Sequence, residues 1–202
     1  MHERGRSRSA LSGAAVLAAC VALAAVTAFA AGHGEREQRE VPGKVGAKAP
    51  AFSATLLTGE TLDSRSLLGK VVVLKFWYVA CGPCRQEIPQ LNQMVDEFKD
   101  QPVVFLGLAL DGPEKLRAFL EEMPYRYQVV PTAQPIIDAF GGTTYYPTHV
   151  VIDTRGVIVH YASGGGLQTQ DVLRPIIRSA LAGAAVKPVR RVEDGPIEGS
   201  NR

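Results

Sequence analysis

Between residues 46 and 182, short apolar runs bounded by turn residues alternate with stretches whose apolar positions recur at helical spacing. Phe52–Leu57, the turn Thr58-Gly59-Glu60 and Thr61–Leu62 predict a small hairpin. Val71–Trp77 (VVVLKFW) is rich in β-branched and aromatic residues, as suits a strand buried on both faces. The segment 83–99 spaces Ile88, Leu91, Val95 and Phe98 along one face and predicts a single helix. Val103–Leu110 predicts a second buried strand. Asp111-Gly112-Pro113 then opens a helix with Leu116, Phe119 and Leu120 inward and Pro124 beyond its end. A short strand at Gln128–Val130 and a short helix at Gln134–Phe140, closed by Gly141-Gly142, follow. Thr148–Ile152 and Val157–Tyr161 form strands around Asp153-Thr154-Arg155-Gly156, where glycine suits the positive φ of a hairpin turn. Gln168–Leu181 is the last helix. This order predicts an α/β domain: a mixed central sheet, helices on both faces and an N-terminal β-hairpin extension.

The flanks read differently. Residues 10–31 contain no charge, and LSGAAVLAACVALAAVTAFAA follows an arginine cluster directly. A positive stretch before an apolar run of the ~20 residues a membrane span needs predicts an anchor over 1–31, with the arginines cytoplasmic and the rest outside. Two alternatives stay open. Ala28-Phe29-Ala30 has the form of a signal-peptide cleavage site, and Leu17-Ala18-Ala19-Cys20 resembles a lipobox in which Cys20 would be acylated. Residues 32–45 are polar and glycine-rich, a linker. Residues 183–202 lack a sustained apolar period and predict a flexible tail.

Composition narrows the function. The 202 residues carry 22 Lys+Arg against 20 Asp+Glu, and Arg4, Arg6 and Arg8 against Glu3 account for the whole +2 excess. The folded part therefore has no basic footprint for nucleic acid. Three cysteines are too few for a disulfide-stapled scaffold.

Two of the three lie in Cys81-Gly82-Pro83-Cys84, directly after the strongest strand and at the opening of a helix. A helix start offers free N–H groups and a partial positive charge, both favouring a thiolate at Cys81. Cysteines in such motifs ionise at roughly pH 3.5–7.5, against about 8.5 when free. Pro83 falls in the first turn, where a missing N–H costs nothing. Cys84 is near enough to close a disulfide with Cys81 and is expected to be the more buried. A zinc knuckle wants two further ligands at short spacing, and a purely structural disulfide over so short a loop contributes little. A redox-active dithiol is the leading reading.

FWYVACGPCRQEIPQL resembles the active-site segment of thioredoxin-fold proteins. Glu87 and Pro89 make it similar to the membrane-attached thiol-disulfide oxidoreductases of the TlpA/ResA type. APAFSATLLTGETLDSRSLLGKVVVLKFW is similar to the redoxin (AhpC/TSA) lead-in, and Tyr145-Tyr146-Pro147-Thr148 with HVVIDTRGVIV to the family's cis-proline loop and hairpin. The resemblance covers about 46–182 and implies a thioredoxin-like fold. It implies that Cys81 attacks and Cys84 resolves, with Gly82 and Pro83 tuning the pair. It also implies that Pro147 is cis and lies across from the disulfide, that the Tyr146 backbone pairs with substrate, and that Glu87 affects the cysteines' proton traffic. No metal or organic cofactor is implied. The implied partners are client proteins with disulfides and a membrane thiol-disulfide electron donor, in cytochrome c maturation or envelope protein repair.

The chain departs from the pattern twice. Lys75 stands where cytosolic thioredoxins carry a buried Asp, and Ala80 where Trp is common. Lys75 and Glu87 are expected to pair behind the disulfide, since burial opposes either charge alone. His149 and His160 read as ordinary strand residues, and Gly164-Gly165-Gly166 as a loop before the last helix. The neutral Gly-Pro insert predicts a reductant. Two rival functions remain: a redoxin-type thiol peroxidase, and a copper-binding chaperone that uses both cysteines and a distant histidine.

Overall fold

The computed structural model describes residues 45–165 and 168–183. The apolar segment 10–31, with Cys20, and most of the tail lie outside them. No helix among the described residues is long and apolar enough to cross a membrane.

The element order is β1 (Ser53–Thr55), β2 (Thr61–Asp63), a 3-10 turn (Ser64–Leu67), β3 (Val71–Trp77), α1 (Gly82–Gln86), α2 (Ile88–Glu97), β4 (Val103–Ala109), α3 (Pro113–Glu122), β5 (Gln128–Val130), α4 (Gln134–Ala139), β6 (Thr148–Ile152), β7 (Ile158–Ser163) and α5 (Thr169–Leu181). The five-stranded sheet runs β5-β4-β3-β6-β7. β3–β4 and β4–β5 are parallel, while β3–β6 and β6–β7 are antiparallel. β1 and β2 form a separate hairpin, turned at Gly59, whose φ of +94° suits glycine.

Every residue of β3 is buried, which its central place requires. Alternation divides it between two cores. Val71, Val73 and Trp77 face a layer built from α2, α3 and α5, including Leu91, Met94, Leu116, Phe119 and Ile177. Val72, Leu74 and Phe76 face α4 and the N-terminal hairpin, through Ile137, Phe140, Ala54 and Leu56. Lys75 points to the first layer by the same alternation.

The single helix expected over 83–99 is two helices broken at Glu87. Pro89 has no N–H to give the carbonyl of Arg85, so the ladder is interrupted one turn after Cys84. Glu87 ends α1 and caps α2, and its own carbonyl accepts from Leu91. Ile88, Leu91 and Phe98 are buried as the spacing predicts, with one difference. Met94 is fully buried where Val95 was expected, and Val95 is half-buried.

Candidate active site

The chain leaves β3 at Trp77 and turns back within four residues. Asp111, just past β4, accepts the Val79 N–H at 2.6 Å, and Cys81 N–H donates to the Tyr78 carbonyl at 3.1 Å. Cys81 thereby becomes the N-cap of α1, with Sγ accepting the Cys84 N–H at 3.2 Å. Cys81 and Cys84 are joined as a disulfide with their Cα atoms 5.2 Å apart. Cys81 is 3% exposed and Cys84 fully buried. Gly82 and Pro83 are exposed, and Pro83 occupies the first turn. Arg85 is exposed as well, its guanidinium over the Phe119 ring at 5.5 Å.

Behind the disulfide lies a buried polar cluster. Lys75 Nζ donates to the Cys84 carbonyl at 2.8 Å and lies 3.0 Å from Glu87 Oε1. Both side chains are wholly buried. The ammonium also sits 5.1 Å from the Tyr125 ring centre and 5.8 Å from that of Trp77, whose faces favour a cation. His149 Nε2 is 2.9 Å from Glu87 Oε1, and an ionised carboxylate only accepts, so the imidazole donates. Thr169 Oγ1 donates to Glu87 Oε2 at 2.8 Å.

Burial pushes the Lys75 ammonium down to about 8, against the pull of Glu87. For Glu87, burial acts to raise the pKa. Hydrogen bonds and charge from His149 and Lys75 outweigh it, so the carboxyl is held below its ordinary value. A carboxylate at this depth persists because its charge is compensated on two sides.

Strand register assembles the cluster. In β3 Lys75 stands opposite His149 of β6 and beside Gly107 of β4. The last contributions come from the far end of the domain. Gly165 lies so close that a Cβ there would sit 2.5 Å from Glu87 Oε2 and 2.7 Å from Pro147 Cγ.

Pro147 follows a cis peptide bond from Tyr146 and precedes β6, whose first residue pairs with Phe76 at the disulfide end of β3. Its carbonyl accepts the Gly164 N–H at 2.7 Å. The loop before it is tied by hydroxyls: Thr148 Oγ1 donates to the Tyr145 carbonyl at 2.7 Å and lies 2.8 Å from Ser163 Oγ, and Thr143 Oγ1 accepts the Tyr145 N–H at 3.1 Å. The Tyr146 ring packs edge-on against Tyr78 with centres 5.4 Å apart. The Tyr146 peptide groups have no hydrogen bond among the described residues.

Cys81, Cys84, Lys75 and Glu87 thus converge, with Pro147 and Tyr146 at the same end of the sheet. His149, read as an ordinary strand residue, belongs to the cluster, as do Thr169 and Gly165. Period-two alternation puts His149 on one face of β6, but which β3 residue it meets depends on register.

A thioredoxin-like sheet carrying a disulfide at a helix start defines a thiol-disulfide oxidoreductase. The chain belongs to the AhpC/TSA family, whose sequence profile matches residues 45–161. It is 32% identical to the thiol-disulfide oxidoreductase ResA of Halalkalibacterium halodurans over 124 residues, 60% of this chain and 70% of ResA. The thioredoxin-like protein YneN of Bacillus subtilis is also 32% identical over 124 residues, 60% of this chain and 72% of YneN. Among solved structures, a thiol:disulfide interchange protein of the thioredoxin family from Chlorobium tepidum aligns with a TM-score of 0.61 and 28% identity, covering 68% of this chain and 98% of that one.

Proposed function

We propose that the protein reduces disulfides of client proteins outside the cytoplasm, held to the membrane by residues 10–31. The observation that carries this reading is the Cys81–Cys84 disulfide at the start of α1, backed by the Lys75–Glu87–His149 cluster. In the reduced enzyme the Cys81 thiolate attacks a client disulfide. A Cys81–client bond forms, and one client sulfur leaves as thiolate. Cys84 then loses its proton and attacks Cys81 Sγ, closing the Cys81–Cys84 bond and releasing the second client thiolate. Two electrons pass to the client, and a membrane thiol-disulfide protein supplies two more to re-reduce the Cys81–Cys84 bond. Pro147 and the unpaired Tyr146 backbone support the client strand. Cysteine pairs awaiting haem in cytochrome c maturation are the client class favoured by the resemblance to ResA.

Cys84→Ser should accumulate mixed disulfides with clients and Cys81→Ser should not. Trapping through Cys81→Ser alone would reverse the assignment. Trp77 is buried in the same core cluster as both cysteines and serves as the fluorescent reporter of oxidation. In glutathione buffers it should give a potential nearer −270 than −120 mV, the approximate span of this fold. A value near the upper end would make the enzyme an oxidant. Rapid turnover of hydrogen peroxide without mixed disulfides would favour the peroxidase. Alkaline carbonate should leave the full chain in the membrane pellet, whereas a soluble product starting near Ala31 would replace the anchor with a cleaved signal.

A further inference from the structure

We infer that the end of the domain opposite the disulfide is a docking face for the anionic headgroups of the membrane that carries the chain. The inference rests on the anchor reading proposed above.

Strand direction separates the two ends. β3 runs from Val71 to Trp77 and leads on to the cysteines, so Lys70 stands a strand length of about 20 Å from the disulfide end. β6 runs the opposite way and carries the turn at 153–156 to the Lys70 end. There the two loops are locked together. The Gly69 N–H donates to the Thr154 carbonyl at 2.9 Å, and a Cβ on Gly156 would lie 3.3 Å from Leu68 Cδ2. The first described residues join them: the Ala49 N–H donates to the Gly156 carbonyl at 2.9 Å, and Lys48 Nζ to the Arg155 carbonyl at 2.8 Å.

An apolar groove of about 160 Å³ at this end has Phe52 and Ile152 among its walls, together with Lys48, Arg65, Lys70 and Arg155. All four cations are exposed, and Leu68 beside them is 65% exposed. Arg65 pairs with Asp63 and Arg155 with Asp153. Lys48 and Lys70 have no ion pair among the described residues. The face therefore holds two uncompensated positive charges, on a chain whose residues beyond the first ten sum to zero. Lys99 and Asp100, which follow α2, cancel. At the disulfide end Arg85 and Lys115 stand against Asp111 and Glu114, which leaves no excess.

An exposed leucine amid cations suits the surface of an anionic bilayer, where headgroups meet the charges and the apolar side chain reaches the acyl boundary. Sequence connectivity favours lipid over other anionic partners. Residues 32–44 join the apolar segment to Val45, and thirteen residues span at most about 45 Å even when fully extended. A tether of that length makes docking an intramolecular event at an effective concentration in the millimolar range. Each basic residue near an anionic bilayer contributes about fivefold in affinity, so two contribute about 25-fold. Weak attraction of this size is enough once the tether supplies the concentration. Docked by this face, the domain turns Cys81 away from the bilayer.

Hydrogen exchange of the full-length protein in vesicles tests the face directly. One set of vesicles is phosphatidylcholine alone, and the other contains phosphatidylglycerol. Exchange across 64–70 and 153–157 should be at least about threefold slower with the anionic lipid, while 111–116 at the disulfide end exchanges alike in both. The slowing should fade in high salt, because the Debye length falls from about 8 Å at physiological ionic strength to about 3 Å at 1 M. Lys48→Glu combined with Lys70→Glu reverses the charge of the face. It should abolish the slowing and leave insulin reduction unchanged, which also reports that the variant is folded. Equal exchange in the two sets of vesicles, or slowing that survives the double variant, would overturn the inference. Equal slowing in detergent micelles without anionic lipid would assign the face to a second copy of the chain and overturn it as well. Slowing at 111–116 instead would mean that the opposite end meets the lipid. A chain that alkaline carbonate strips from both sets of vesicles would overturn the anchor reading, and this inference with it.

Discussion

Lys75 and His149 face each other across the β3–β6 ladder, and both side chains end on the same oxygen of Glu87. The central strand pair therefore does more than fill the core. It delivers two nitrogen donors to one carboxylate, which the break at Pro89 sets at the junction of two helices. The cluster borders the reactive disulfide through Lys75 and the Cys84 carbonyl.

Removing one partner of a buried ion pair leaves the other charge uncompensated. Lys75→Met should cost about 3–5 kcal/mol of unfolding free energy, as should Glu87→Gln. The double variant should recover most of that loss, because the shared penalty disappears with both charges. Urea unfolding of the four proteins forms a double-mutant cycle. Strictly additive losses would show that the two groups are energetically independent.

Gly165 is predicted to tolerate no side chain. A methyl group at this position would overlap Glu87 Oε2 and Pro147 Cγ together. Gly165→Ala should lower stability by about 1–3 kcal/mol and slow client exchange in step, since one displacement disturbs both sides of the site. Thermal melting and insulin reduction, measured on the same preparation, check both effects. An unchanged variant would mean that the loop yields freely.

Gly107 lies beside Lys75 in the sheet, and a Cβ there would come within 3.0 Å of both Trp77 Nε1 and Tyr125 Cε1. Neither ring has solvent to retreat into, since both are buried. Gly107→Ala should destabilise the domain by about 1–3 kcal/mol and shift the Trp77 emission in the folded protein. Emission identical to wild type would contradict the close packing.

Burial first, and charge at His149 second, lower the His160 pKa from 6.5 to about 4. The unfolded chain therefore binds this proton more readily than the folded one. The contribution of His160 to stability is present above pH 6.5, is lost as the pH falls toward 4, and is level below that. Between pH 7.5 and 4.5 the wild type should lose about 2 kcal/mol more than His160→Gln. Equal losses in guanidinium titrations at the two pH values would remove His160 from the acid limb.

Much of this was legible in the residues. VVVLKFW reads as a central strand because every position had to be apolar or, at Lys75, paired. The cysteine spacing and Pro83 mark a helix start, and the pairing of Lys75 with Glu87 follows from the cost of burying either charge. Pro89 was equally visible, but apolar periodicity on both sides of it masks the break. His149 was opaque for another reason. Its chemistry comes from a neighbour in β3, and a one-residue change of register would have turned it into the other core. Gly165 gave no signal beyond its type, since its role is the absence of a Cβ at a contact made by tertiary folding.

The loop before Pro147 is pinned by Thr143, Thr148 and Ser163, while the peptide groups of Tyr146 are left without protein partners among the described residues. A surface made of peptide groups reads a feature that every polypeptide shares. If the Tyr146 backbone holds the client strand as proposed, choice among clients passes to the clients themselves. A disulfide must lie in a stretch already extended and unpaired if its chain is to run along Tyr146 while its sulfur meets Cys81. Such an enzyme sorts substrates by local unfolding rather than by side-chain sequence. On the proposed function, a disulfide sealed in a finished fold would be passed over and one in a loosened segment would be taken, with no separate sensor to tell them apart.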